Sequence, residues 1–394
     1  MKITPAHARI QNQQLILKTI YDGNGISRAQ IARETKLTRP TVSNVVANLI
    51  EDGLVEEGGL AESLGGRRGI TLRVPDDARH LIGLDLARGD FRGAIINLRG
   101  EIIHRIELPL KSNDGDKAIA LVYELLDQLV ESTDRPLLGI GIGAPGPVDV
   151  VKGVMHHAVN LNWRDIPLRD LLQDRYQLPV YIANDCQVAA LAEITFGKVG
   201  DDIRNLVLVN IGWGVGAGIV INNQLLHGPL GAGEIGHVVV EENGNLCTCG
   251  NQGCLETVAS SRAIIQRAQD LAQQNPSSLL NQFSNSIEDI SLDTIRQAFQ
   301  NGDSDANQVV YDAGRSLGIA AANLVGILGS SRIFFAGSVT CFGDQLLEII
   351  RIEMNKRVLP LTANATEIGF ASLGSNNVLL GASALLLPDE LGLL

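Results

Sequence analysis

Two segments of this chain share one pattern, and that repetition constrains the fold more than any other feature. Residues 81–103 (LIGLDLARGDFRGAIINLRGEII) and 205–228 (NLVLVNIGWGVGAGIVINNQLLHG) each read as strand, tight loop, strand, turn, strand. Their spacing of roughly 125 residues is too long for a solenoid repeat and fits two related halves. Helical stretches such as AIALVYELLDQLVES and SLGIAAANLVGILG lie between and after them, so each half reads as a sheet covered by helices. A cleft between such halves is the natural place for a ligand. With 394 residues and 45% hydrophobic content, the chain suits two or three domains with buried cores. No apolar run approaches the roughly 18 residues of a membrane span, and MKITPAHARIQNQQ lacks a secretory signal's apolar stretch, so the cytoplasm is the expected compartment.

The net charge of −12 is unevenly placed. The first 75 residues carry 10 Lys and Arg against 7 Asp and Glu, and the remainder 22 against 37. A small basic head, residues 1–75, thus precedes an acidic body, residues 76–394, whose halves are about 80–190 and 191–394. In the head, NQQLILKTIYDGNG predicts one helix, and ISRAQIARETK a second with Ser27 and Gln30 spaced as a capping box. LTRPTVSNVVANLIEDG predicts a third, with Val42, Val45, Val46, Leu49 and Ile50 on one buried stripe. Its open face carries Arg39, Thr41, Ser43, Asn44 and Asn48, which are hydrogen-bonding groups without an acid, as a major-groove reader requires. Arg28, at the start of the second helix, joins this set of DNA contacts. The short connection KLTR between helices two and three is that of a helix-turn-helix. LVEEGG and GITLRV pair as a hairpin whose tip offers Arg67 and Arg68 to the phosphate backbone or minor groove. Together these make a winged helix; the alternative is a three-helix bundle with a solvated polar face.

In the body, three of five cysteines fall within GHVVVEENGNLCTCGNQGCLE. In reducing surroundings, clustered thiols bind metal or do chemistry more often than they form disulfides. His237, Cys247, Cys249 and Cys254 make the four ligands of a structural zinc site, with Gly244, Gly250 and Gly253 allowing the chain to fold back. Buried, unliganded thiols are the alternative. The same segments carry Glu234 and Glu256. If one nitrogen of His237 takes the metal, the other is left for a ligand hydroxyl. The closed shell speaks against hydrolytic zinc catalysis.

YIANDCQVAALAE places Asn184 and Asp185 at a strand-to-helix junction. An amide beside a carboxylate suits vicinal hydroxyls, and Asp can act as a general base; helix capping is the alternative. VNLNW adds Asn160 and Asn162, and GAPGPVD a rigid loop. The glycine-rich GWGVGAG lets backbone approach a phosphate closely, a weak signal in isolation. RIFFAGSVTCFGDQL reads as a buried strand ending at Ala336 and Gly337 before a helix.

From about Asn12 to Gly381 the chain resembles the ROK family of repressors, open reading frames and sugar kinases. The likeness is carried by GAGEIGH followed by CTCGNQGCLE, and by AND with VAALAE and GWGVGAG. It implies a duplicated actin-like, hexokinase-like α/β body and structural zinc on His237, Cys247, Cys249 and Cys254. It also implies sugar hydroxyls on Asn160, Asn184, Asp185, Glu234, His237 and Glu256. In family kinases the residue matching Asp185 is the general base. Those kinases carry a DIGGT-like loop for ATP phosphates, whereas this chain has Asp85-Leu86-Ala87-Arg88-Gly89, with side chains where backbone must approach phosphate. Trp213 stands where kinases usually have threonine.

The expectation is a sugar-responsive transcriptional regulator, similar to the family's xylose and N-acetylglucosamine repressors. It would control genes of carbohydrate uptake or catabolism and bind a palindromic double-stranded operator as a homodimer or higher oligomer, without a catalytic residue. The alternative is an ATP-dependent sugar kinase with an N-terminal appendage, in which Asp185 is the base.

Overall fold

The computed structural model describes residues 5–23, 25–60, 69–87, 89–111, 114–198, 204–228 and 231–393. Arg67, Arg68 and Arg88 lie outside them. The chain forms two compact units, Met1–Asp185 with Val378–Leu394, and Cys186–Asn377.

The head opens the first unit with α1 (Pro5–Gly23), β1 (Ile26–Ser27), α2 (Arg28–Thr35), α3 (Arg39–Glu51), β2 (Glu56–Leu60) and β3 (Ile70–Arg73). The capping box forms as the sequence requires: Ser27 accepts from the Gln30 amide, and Gln30 accepts from the Ser27 amide at 2.9 Å. Lys36 caps α2 in the left-handed region, and three residues, 36–38, separate α2 from α3. Thr38 caps α3, and Pro40 sits in the first turn, where no amide donor is needed. Val42, Val45, Val46 and Leu49 are buried, while Ile50 lies at the stripe's edge, half-buried. β2 and β3 pair antiparallel as the wing. β1 adds a third strand beside β3, which the sequence reading did not contain.

The body of the first unit is a sheet of β4 (His80–Asp85), β5 (Asp90–Asn97), β6 (Ile102–Pro109), β7 (Leu137–Ala144) and β11 (Val180–Asn184), in the order β11-β7-β4-β5-β6. β4, β5 and β6 form an antiparallel meander, while β7 and β11 run parallel to β4. β4 is buried throughout, and α4 (Gly115–Glu131) covers this sheet with Val122, Leu125, Leu126 and Leu129. A small sheet of β8 (Val148–Asp149), β9 (Val154–Ala158) and β10 (Trp163–Ile166) precedes α5 (Leu168–Tyr176).

The second unit takes over in α6 (Asp185–Phe196) and holds β12 (Leu206–Ile211), β13 (Val215–Ile221), β14 (Gln224–Leu225), β15 (Arg332–Ala336) and β16 (Glu367–Phe370). Their order, β14-β13-β12-β15-β16, and their directions repeat the first sheet strand for strand. This is the duplication that the two echoing segments predict, and with the winged head it gives the expected fold class. Helices α7 (Glu256–Ala259), α8 (Ser261–Gln274), α9 (Leu279–Gln282), α10 (Leu292–Gln300), α11 (Ser304–Leu328), α12 (Gly343–Asn355) and α13 (Pro360–Ala365) complete the unit. Its core joins Val207, Val209 and Ile211 to Leu317, Ala320 and Ala321 of α11.

The chain then returns. The sequence boundaries placed everything after 190 with the second half, but α14 (Asn377–Ala384) packs on the first sheet. A Cβ at Gly141 would stand 1.8 Å from the Ala382 carbonyl oxygen, and one at Gly83 2.3 Å from that of Leu379. Glycines in β4 and β7 thus admit a helix backbone directly onto the strands.

Candidate functional site

The thiol cluster grows out of the segment GAGEIGH, which is pressed onto β13. Gly233 has φ +96°, and a Cβ there would lie 1.8 Å from the Ala217 carbonyl; one at Gly236 would lie 2.2 Å from that of Val215. Only glycine permits this approach, and it fixes Glu234 and His237 against the sheet. The following loop returns through a bridge between Val239 and Cys254 and a second between Leu246 and Gln252. Its turns use Gly250 and Gly253 at positive φ.

His237, Cys247, Cys249 and Cys254 bring their ligand atoms within 4.8 Å of one another. Cys247 Sγ lies 3.5 Å from His237 Nδ1, and Cys249 Sγ lies 3.7 Å from Cys254 Sγ. A tetrahedral ion with metal–sulfur bonds of about 2.3 Å sets its sulfurs roughly 3.8 Å apart, so the donor set fits a metal ion. Burial and the neighbouring thiols push the Cys254 thiol up, whereas backbone hydrogen bonding, chiefly at Asn251, holds that of Cys249 down. With Nδ1 facing the sulfurs, Nε2 of His237 is the nitrogen left for another partner.

In this unit Glu256 begins α7, and its Oε2 accepts the Val215 amide at 3.1 Å, where the glycine-rich turn enters β13. Arg262 reaches its Oε1 at 3.5 Å, and the Arg262 guanidinium lies 5.9 Å from the centre of the Trp213 ring, which is half exposed. Glu234 is exposed and His237 half-buried.

In the first unit Asn184 closes β11 in register with Ala144, and Asp185 starts α6. Asn184 Nδ2 donates to the Gly146 carbonyl at 3.2 Å and so holds the GAPGP loop. Asn160 lies in the single turn Val159–Leu161, and Asn162 follows at φ +52°, a conformation that favours asparagine among non-glycine residues. Asn160, Asn184 and Asp185 therefore belong to one unit, and Glu234, His237 and Glu256 to the other.

The first glycine-poor loop is committed internally. The Leu86 amide donates to the Gly143 carbonyl at 3.0 Å, and Asp85, 2% exposed, is paired with Arg92 directly across the β4–β5 hairpin. Burial pushes the Asp85 carboxyl up, against the opposing pull of Arg92. In the head, Arg39, Ser43 and Asn44 are exposed along α3, and Asn48 is half-buried. Thr41 shares a 2.8 Å hydroxyl contact with the cap Thr38, and Arg28 is paired with Glu57 of the wing at 2.9 Å.

The ROK family profile matches residues 81–388, and a MarR family profile matches residues 11–68. The chain belongs to the ROK family. It is 34% identical to the xylose repressor of Caldicellulosiruptor bescii over 385 residues, 96% of each chain. It is 36% identical to the glucokinase of Halalkalibacterium halodurans over 318 residues, 79% of this chain and 96% of that one. Among solved structures it resembles a ROK family transcriptional regulator, a homologue of the E. coli MLC protein, at TM-score 0.87 and 28% identity, with 98% of both chains covered. The match to the glucokinase leaves out about a fifth of this chain, whereas the repressor and the regulator cover nearly all of it.

Three arginines of this ROK chain escaped the sequence reading. Arg92 was within reach, because a tight loop between 85 and 92 makes those residues a cross-strand pair. Arg262 has no such signal, since its approach to Glu256 depends on the break between α7 and α8. Arg99, at the β5–β6 turn, contacts the head, and no local pattern announces a contact 78 residues away in the chain.

Proposed function

We propose that this ROK protein is a sugar-responsive DNA-binding regulator, a repressor of genes for carbohydrate uptake or catabolism. The observation that carries the reading is the pairing, in one chain, of a winged helix that exposes Arg39, Ser43 and Asn44 along α3 and a body whose first glycine-poor loop is tied up. The Asp85 carboxylate is spent on Arg92 and the Leu86 amide on Gly143. A loop engaged this way offers a nucleotide neither a free carboxylate nor that amide. The xylose repressor's coverage of head and body together supports the same reading.

Arg39, Ser43, Asn44 and Asn48 read bases, and Arg67 and Arg68, which lie outside the described residues, contact the phosphate backbone or minor groove. Arg28 and Thr41 are weaker candidates, since the first is paired and the second belongs to the helix cap. Two copies bind a palindrome, because one recognition helix spans too few base pairs. Asn160, Asn184, Asp185, Glu234, His237 and Glu256 hold sugar hydroxyls. The Cys3His set holds zinc, whose part is structural: it pins the loop so that Glu234, His237 Nε2 and Glu256 keep fixed positions. Among the described residues no helix is long and apolar enough to cross a membrane; as a regulator the protein works on DNA in the cytoplasm. Sugar alters DNA binding to the extent that it favours one conformation of the body over another.

A kinase reading rests on Asp185 at the start of α6 and on the glucokinase relative. Incubation with ATP and a panel of hexoses and pentoses separates the two. A regulator gives no phosphorylated sugar, and turnover that disappears in Asp185→Asn would overturn the regulator reading.

A further inference from the structure

The head is held to the first body sheet by more than the chain that connects them. The Tyr21 hydroxyl, in the last turn of α1, donates to the Leu98 carbonyl at 2.6 Å. Arg99, next along, lays its guanidinium 3.7 Å from the centre of the Tyr21 ring. The same guanidinium donates to the Tyr21 carbonyl at 2.9 Å and to Asp76 Oδ1 of the linker at 3.3 Å. It thereby satisfies a carbonyl at a helix C-terminus, the end that favours positive charge.

The turn presenting Arg99 is itself braced. Asn97, 1% exposed, accepts the amides of Arg99 and Glu101 at 3.0 Å each, and Gly100 turns the chain at φ +80°. A second arginine, Arg79, immediately before β4, donates to the carbonyl of Asp52, the C-terminal cap of α3, at 2.8 Å. A third contact closes from the far end of the chain, where Gly392 meets the side chain of Gln14 on α1; a Cβ there would lie 2.5 Å from it. The segment making that contact is the one that returns from the second unit through α14.

An isolated surface ion pair is worth little, but here one guanidinium makes a cation–π contact and two hydrogen bonds from a rigid turn. The hold acts on α1 and on α3, the helix that reads DNA. β4 and β5, which carry Arg79 and the Arg99 turn at one end, carry the buried Asp85–Arg92 pair at the other, about 20–25 Å away along the strands.

We propose that Arg99, clamped on Tyr21, is the positioning residue that couples the DNA-reading head to the body, so that the head moves with the first sheet and does not swing on the linker. The coupling role rests on the regulator reading given above; the mechanical role does not.

The test uses the full chain as wild type, Arg99→Ala, Arg99→Lys and Tyr21→Phe. Hydrogen exchange over residues 15–23 reads the clamp directly: Arg99→Ala should exchange about tenfold faster there, with Arg99→Lys closer to wild type. Operator affinity is then measured without sugar and with saturating D-xylose, D-glucose or N-acetylglucosamine. Wild type should show a sugar-dependent change within the roughly 5–150-fold range of allosteric coupling. Arg99→Ala should bind the sugar within about twofold of wild type yet change its operator affinity by less than about threefold, with partial recovery in Arg99→Lys. A wild-type sugar effect on operator binding in Arg99→Ala overturns the proposal, as does unchanged exchange over residues 15–23. A wild type that answers to no sugar defeats the regulator reading instead, and the exchange rates still decide whether Arg99 anchors the head.

Discussion

Burying a carboxylate obliges the fold to supply a cation, and Asp85 receives Arg92 from the neighbouring strand. Removing one member of such a pair typically costs about 3–5 kcal/mol, because the other charge stays buried alone. Arg92→Met should lose about that much stability in urea unfolding near neutral pH. The pH dependence has a definite sign. Burial already raises the Asp85 pKa above its unfolded value, and without the arginine it rises further. A raised acid contributes stability at low pH that disappears as pH climbs through the folded-state pKa. The Arg92→Met deficit should therefore be larger at pH 8 than at pH 5, and an equal deficit at both would mean that losing the arginine does not raise the Asp85 pKa further. On α3, Arg39→Ala or Asn44→Ala should weaken operator binding by about 1–3 kcal/mol while leaving sugar affinity alone. Unchanged operator affinity would show that α3 is not the reading helix. Residues whose placement follows from local sequence pattern, such as the α3 face, His237 with its three cysteines, and the Asn184–Asp185 junction, are legible in the sequence. Arg262 and Arg99 act across breaks between elements, which periodicity does not encode.

At the level of elements, the caps and turns follow local chemistry closely. Ser27 and Gln30 make their box, Thr38 and Pro40 start α3, and Asp185 opens α6. Two features do not. β1 is two residues long and exists only because β3 lies beside it. The C-terminal helix α14 belongs to the first sheet because Gly83 and Gly141 make room for it, a matter of tertiary fit. Gly141→Ala would set a methyl group against the Ala382 backbone and should destabilise the protein by about 1–3 kcal/mol or more in thermal or urea unfolding. A neutral result would mean that α14 is displaced easily. The thiol loop is closed by two backbone bridges and gathers a donor set that fits a metal ion. Cys249→Ser should lower bound zinc, measured by elemental analysis, well below one equivalent and reduce the sugar response with it. A variant that loses metal yet answers sugar normally would separate the cluster from the ligand site.

On the scale of the whole chain, two five-stranded sheets share one order, and the loop after β4 in the first is engaged through the Asp85–Arg92 pair and the Leu86 amide. The echo of strands was visible in sequence because each half repeats the same apolar runs at the same turns. The second unit's return to the first was not, since it depends on where the last 17 residues find a surface. A body of this ancestry gains a regulatory role when its conformations act on something else, and the winged head is the part available to be acted upon. The account stands or falls on the affinity of the full-length protein for its operator, titrated with and without D-xylose, D-glucose and N-acetylglucosamine. It predicts that one sugar of this class shifts the dissociation constant by about 5–150-fold. Specific operator binding that no sugar alters, or no specific binding at all, would contradict it.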